Sequence, residues 1–119
     1  MDDADDFGGP IYREARRLFE QGRFGDAQAL FAESARVDPH HKSYELYGEC
    51  LLRIGRPAHA VLPLAAACAF NRGARPRVLL ARSLAQIGRT TEARAWLAEA
   101  LERQPGYGPA VAALRELSA

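Results

Sequence analysis

The side chains best suited to chemistry in this chain are three histidines, His40, His41 and His59, and two cysteines, Cys50 and Cys68. Imidazole and thiolate are metal ligands, and zinc sites hold them at short paired spacings. None of these five falls at such a spacing, so no metal is expected. Cys50 and Cys68 read as reduced thiols inside helical segments, where a small buried thiol is an ordinary packing residue. His40 and His41 fall in a turn. Catalysis is no better supported. The chain has no glycine-rich phosphate loop, no nucleophile flanked by small residues on a sharp turn and no acid pair in a helix-free pocket. No enzymatic activity and no cofactor are expected.

The elements that position these residues come from self-similarity. Gly22-Arg23 with Ala27, Gly55-Arg56 with Ala60 and Gly88-Arg89 with Ala93 recur at a spacing of 33 residues. Four residues after each alanine stands Phe31, Leu64 or Leu97, and three further on Ser34, Ala67 or Ala100. A glycine after a helical run adopts the left-handed conformation that ends a helix, so Gly22, Gly55 and Gly88 are read as helix ends. The alanines five residues later remove bulk where two antiparallel helices meet. Pro39 and Pro105 close the second helix of copies one and three, and Gly73 with Pro76 does so in copy two.

Apolar spacing then predicts helices over 10–21, 24–37, 41–54, 57–71, 74–87 and 90–103. Pro63, inside one of them, predicts a kink. After Pro109 a last helix carries the stripe Val111, Leu114 and Leu117, with Arg115, Glu116 and Ser118 facing away. The expected architecture is an all-α solenoid of three helix-turn-helix repeats, at about 8–40, 41–73 and 74–106, closed by a capping helix at about 109–118. Residues 1–8 read as an acidic disordered tail.

Composition agrees with a single ordinary domain: apolar residues are 48% and charged residues 26% of the 119. No run approaches the roughly 20 apolar residues of a membrane span. The N-terminus is acidic where an export signal would be basic and then apolar, so a cytoplasmic address is expected. Net charge is +1. Setting aside Asp2, Asp3, Asp5 and Asp6 leaves +5, short of a nucleic-acid footprint.

With these residues in place the pattern resembles the tetratricopeptide repeat. Copy two is fullest, with Tyr44, Tyr47, Gly48, Leu51, Gly55, Ala60, Leu64 and Ala67 on matching positions. Departures are Glu14 and Arg77 where large apolar residues are usual, and copies of 33 residues instead of 34. The resemblance implies a superhelix whose first helices line a concave groove for a peptide. The groove positions it implies are Tyr12, Arg16 and Phe19, then Lys42, Glu45, Glu49 and Leu52, then Arg75, Val78 and Arg82. Their aromatic and basic members suit a protein or peptide partner that is partly acidic and partly apolar. Family members that clamp a terminal carboxylate carry lysine and asparagine where this chain has Tyr12, Arg16 and Leu46, so a heat-shock co-chaperone is not expected.

The functional expectation is a protein-interaction module acting as adaptor or scaffold. A small dedicated chaperone for a secreted or assembled client and a self-assembling subunit are the alternatives. The last would pair through terminal helices, the first of which carries Ile11, Leu18 and Phe19. The four tail aspartates suggest a weak competitor for an acidic ligand.

Overall fold

A computed structural model of the chain describes residues 9–118; the predicted acidic tail lies outside the described residues. Among the described residues seven helices follow one another: α1 Gly9–Glu20, α2 Phe24–Val37, α3 His41–Arg53, α4 Pro57–Phe70, α5 Ala74–Gln86, α6 Thr90–Arg103 and α7 Gly108–Ser118. No strand occurs among the described residues. Each helix packs on the next, α3 also touches α5, and α7 lies against both α5 and α6. The first helices α1, α3 and α5 thus form one layer and the second helices α2, α4 and α6 the other, a solenoid 42 × 27 × 22 Å in extent.

Each hairpin reverses through the same hydrogen-bonded turn. Gly22, Gly55 and Gly88 have φ of 77°, 78° and 85°, a region that strains any residue with a Cβ. The amides of the following arginines, Arg23, Arg56 and Arg89, donate to the carbonyls of Leu18, Leu51 and Leu84 at 2.9, 2.8 and 2.9 Å. The glycine amides donate to Phe19, Leu52 and Ala85 at 3.0, 3.1 and 3.1 Å. This pair of bonds is the Schellman motif, which satisfies carbonyls that a helix end would otherwise leave open.

Small residues then let the two helices of a hairpin close. Ala27, Ala60 and Ala93 have no exposed surface. On the first helices, the positions in register are Ala15, Gly48 and Ala81, all buried. Gly48 marks the tightest approach, because a Cβ there would stand 2.4 Å from Leu64 Cγ and 2.5 Å from its Cδ2. Two buried clusters result. Tyr12, Ala15, Leu18, Ala27, Phe31, Leu46 and Cys50 form the first. The second runs from Leu51 on α3 to Ala113 on α7, with Tyr47 packed against both. Burial pushes the Cys50 thiol up to about 12 and Cys68 to about 11, so both are inert packing groups.

Three expectations need correction or completion. Pro76 does not end α4: it sits, buried, in the first turn of α5, where a missing amide costs nothing. Asn71 ends α4 instead, its Oδ1 accepting from Gly73 N at 2.6 Å, assisted by Arg77. That arginine is 5% exposed and donates to the carbonyls of Asn71 and Gly73 at 2.8 and 2.9 Å and to Glu99 at 3.1 Å. An arginine therefore replaces the usual apolar residue by capping a helix end. α4 itself continues as helix through Pro63. On α7 the deepest residues are Ala110 and Ala113, while Val111, Leu114 and Leu117 are half-buried, because the alanines allow the closer approach.

The joint between the first two hairpins is polar. His40 caps α3, its Nδ1 accepting from the amides of Lys42 and Ser43 at 3.2 and 3.4 Å. Its Nε2 lies 3.0 Å from Ser43 Oγ, which is 3.2 Å from Ser34 Oγ. His41 pairs with Asn71 at 3.0 Å. Both histidines thus have structural partners. A protonated His40 cannot accept at Nδ1, and desolvation by burial, partly opposed by Asp38, lowers its pKa.

Two outcomes follow from this packing. Gly48→Ala loses up to about 2 kcal/mol in urea unfolding, the difference between overpacking of about 1–3 kcal/mol and the roughly 1 kcal/mol of helix propensity gained. Gly25→Ala, with nothing within 4 Å of its Cβ, is unchanged or slightly stabilised. His40 is neutral in the fold at a pH where the unfolded chain binds a proton, so stability is full above about pH 6.5. It declines as pH falls from there through the lower folded value. Melting temperature should drop across that window in the native chain and not in His40→Asn, which keeps an N-cap that does not titrate.

Candidate binding groove

The inner layer is organised around a charge bridge. Glu45 and Glu49 stand four residues apart on α3 and therefore share a face. Both are buried, at 2% and 5% exposure, and α5 supplies the cation that makes this tolerable. Arg75 spans the two helices, Nη1 bonded to Glu45 and Nη2 to Glu49 at 2.5 Å. Lys42 approaches Glu45 at 3.7 Å and Arg53 bonds Glu49 at 3.2 Å. Burial opposes the charge on Arg75, but hydrogen bonding to Glu49 and the attraction of both carboxylates outweigh it and hold its pKa above the ordinary value.

The ten positions implied by the resemblance divide sharply. Tyr12 and Val78 are core residues, and Phe19 packs edge-on against Phe24 and Phe31 at 5.2 and 6.3 Å. Glu45, Glu49 and Arg75 form the bridge. Arg16 is half-exposed, bonded to Glu20 at 3.3 Å and near Tyr12 Oη at 3.5 Å. Lys42 and Leu52 are half-buried and Arg82 is exposed, with no ion pair among the described residues. Arg75, a groove position implied by the resemblance, is engaged by two glutamates. Leu46 is buried like Tyr12, so two of the three carboxylate-clamp positions face the core.

Residues beyond that set complete the surface. A hollow of about 190 Å³ is lined by Glu49, Arg53, Arg75, Val78, Arg82 and Tyr107. Arg53 was legible as the position four after Glu49. Tyr107 comes from the α6–α7 connection, where its carbonyl accepts from Ala110 and Val111 at 3.1 Å and so starts α7. α7 closes the far end of the layer, and Arg94 of α6 donates to the Leu117 carbonyl at 3.0 Å to hold it. Arg82 also borders a second hollow, of about 230 Å³, between α5 and α7.

No three His, Cys, Asp or Glu side chains converge as metal ligands among the described residues. On α1, Leu18 is buried and Ile11 and Phe19 are half-buried, Leu18 and Phe19 being packed towards α2.

Removing the bridging cation strands two buried carboxylates. Arg75→Ala is expected to cost about 1–3 kcal/mol in chemical unfolding at neutral pH, below the 3–5 of a fully buried pair because the Arg75 side chain is 46% exposed. Adding Glu45→Gln and Glu49→Gln should restore most of it.

No curated protein sequence matches the chain. Solved structures match the fold. The second tetratricopeptide domain of human RPAP3, in complex with an HSP70 peptide, superposes with a TM-score of 0.87 at 15% identity, over 92% of both chains. The Yersinia enterocolitica type III secretion chaperone SycD, in complex with a peptide of the translocator YopD, gives 0.77 at 20% identity, over 91% of this chain and 84% of that one. Hsp90 co-chaperone Cns1 from Saccharomyces cerevisiae gives 0.87 at 14% identity, over 99% of this chain and 40% of that one. The tetratricopeptide repeat model matches residues 12–77 and 71–108. With its recurring Schellman turns and small-residue contacts, the chain belongs to the tetratricopeptide repeat family.

Proposed function

We propose that this chain is an adaptor that holds an acidic, partly apolar peptide segment of a partner protein against the inner layer. The observation that carries this reading is the charge left over around the bridge. Lys42, Arg53, Arg75 and Arg82 face Glu45 and Glu49, so four cations meet two buried carboxylates and two positive charges remain for a ligand. Leu52 and Tyr107 supply apolar surface beside them. Arginine and tyrosine at such positions concentrate binding energy, and an arginine without an ion pair among the described residues, such as Arg82, favours a carboxylate through forked hydrogen bonds. The peptide complexes of the RPAP3 domain and SycD support this use of the architecture.

The bridge also gives the surface its rigidity. Arg75 is fixed before any ligand arrives, so Arg53 and Arg82 flank a formed hollow and little side-chain entropy is lost on binding. No helix of the described residues is long and apolar enough to cross a membrane, and no catalytic role is assigned.

A peptide array of matched hydropathy and graded charge tests this. Acidic members should be retained by the native chain. Lys42→Glu combined with Arg82→Glu should weaken the best of them at least tenfold by fluorescence polarisation, with an unchanged circular dichroism spectrum. Raised salt should weaken it as well. Equal retention of basic and acidic peptides would contradict the reading.

A further inference from the structure

The outer layer holds a second surface, visible when the second helices are compared in register. Where α2 has Asp26, Glu33 and Arg36 and α6 has Glu92, Glu99 and Glu102, α4 has His59, Ala66 and Ala69. The small residues Ala29 on α2 and Ala95 on α6 correspond to Leu62, and Arg103 on α6 corresponds to Phe70. From Pro57 to Phe70 the helix carries no Asp, Glu, Lys or Arg. Leu62 is 79% and Phe70 58% exposed, and with Ala58, Ala66 and Ala69 they make a stripe at helical spacing. Beside it lies a hollow of about 720 Å³ lined mainly by Tyr44, Tyr47, His59, Leu62, Pro63 and Ala66. That volume lies within the roughly 300–1,000 Å³ of sites that take a ligand group. Phe70 is held at its edge by stacking on Tyr44, centroids 5.8 Å apart and planes at 10°.

Charge at the two ends says what would cover it. Arg56 precedes α4 and Arg72 follows it; both are exposed and neither has an ion pair among the described residues. The counterparts of Arg56 do have one: Arg23 binds Asp26 at 2.7 Å and Arg89 binds Glu92 at 2.6 Å. Exchanging that acid for His59 leaves Arg56 available. The two arginines, 16 residues apart, are separated by about 24 Å at helical rise. A second copy fits badly, because antiparallel α4 helices would set Arg56 against Arg72 at both ends and parallel ones would set each arginine against itself.

We propose that α4 docks an amphipathic helix of a partner protein, its apolar stripe on Leu62 and Phe70, a large apolar side chain in the hollow, and acidic residues at its ends on Arg56 and Arg72. Small residues at Ala58, Ala66 and Ala69 allow the close approach that helix packing requires. This surface shares none of the residues around the Glu45–Arg75–Glu49 bridge, so one chain would join two partners.

The test is amide chemical-shift mapping of the full chain with a synthetic 18-residue amphipathic helix bearing glutamates at both ends, compared with the same peptide bearing lysines. The glutamate peptide should shift α4 together with Tyr44 and Tyr47 and bind at least tenfold more tightly than the lysine peptide. Leu62→Glu, at an exposed position, should abolish binding without unfolding the chain, and Arg56→Glu with Arg72→Glu should reverse the preference. Equal binding of both peptides would overturn the proposal, as would shifts on the inner layer that survive Leu62→Glu. A native dimer that sediments as monomer after Leu62→Glu would also overturn it, since the occupant of α4 would then be a second copy.

Discussion

Everything in this molecule rests on how closely two helices of a hairpin can approach. At Gly48 the separation from α4 is so small that a single methyl group would overlap Leu64, and Ala15 and Ala81 hold the same place in the other hairpins. The approach is possible only because each hairpin reverses in a turn with φ near 80° at one glycine, which brings the second helix back over the first with its carbonyls satisfied. Close packing of this kind transmits position: α3 and α5 then lie near enough for one guanidinium to reach two carboxylates. The inner surface is thus a consequence of small residues several ångströms beneath it.

The fold was legible in the sequence because its causes are local and repeated. Gly22, Gly55 and Gly88, with the alanines five residues later, state the turn and the contact three times over, and helix bounds follow to within a residue. What the resemblance did not give was burial, since Tyr12, Val78 and Leu46 stand at positions it assigns to ligand contact and here complete the core. The bridge of Glu45, Arg75 and Glu49 joins residues 26 and 30 apart, and no spacing rule pairs charges across two helices of different repeats. Arg77 misleads for a similar reason: an arginine at an apolar position is tolerated because helix-end carbonyls and Glu99 lie within its reach.

The two layers differ in their charge and therefore in what they suit. The inner layer concentrates cations around buried carboxylates, a pattern that favours anionic side chains and weakens with salt. The outer layer is charged on α2 and α6 and uncharged along α4, so its attraction there is chiefly apolar, with selectivity left to the arginines at either end. An adaptor needs two such surfaces that do not compete. Here the charge bridge joins α3 to α5, while the uncharged stripe runs along α4.

The most direct measurement of the central claim, that the inner layer receives an acidic peptide, is a set of isotope-filtered nuclear Overhauser contacts between a bound acidic peptide and the labelled chain. Contacts from the peptide to Leu52 and Tyr107, with none to Leu62, are the predicted result. Contacts confined to Leu62, Ala66 and Phe70 would contradict it and move the peptide site to the outer layer.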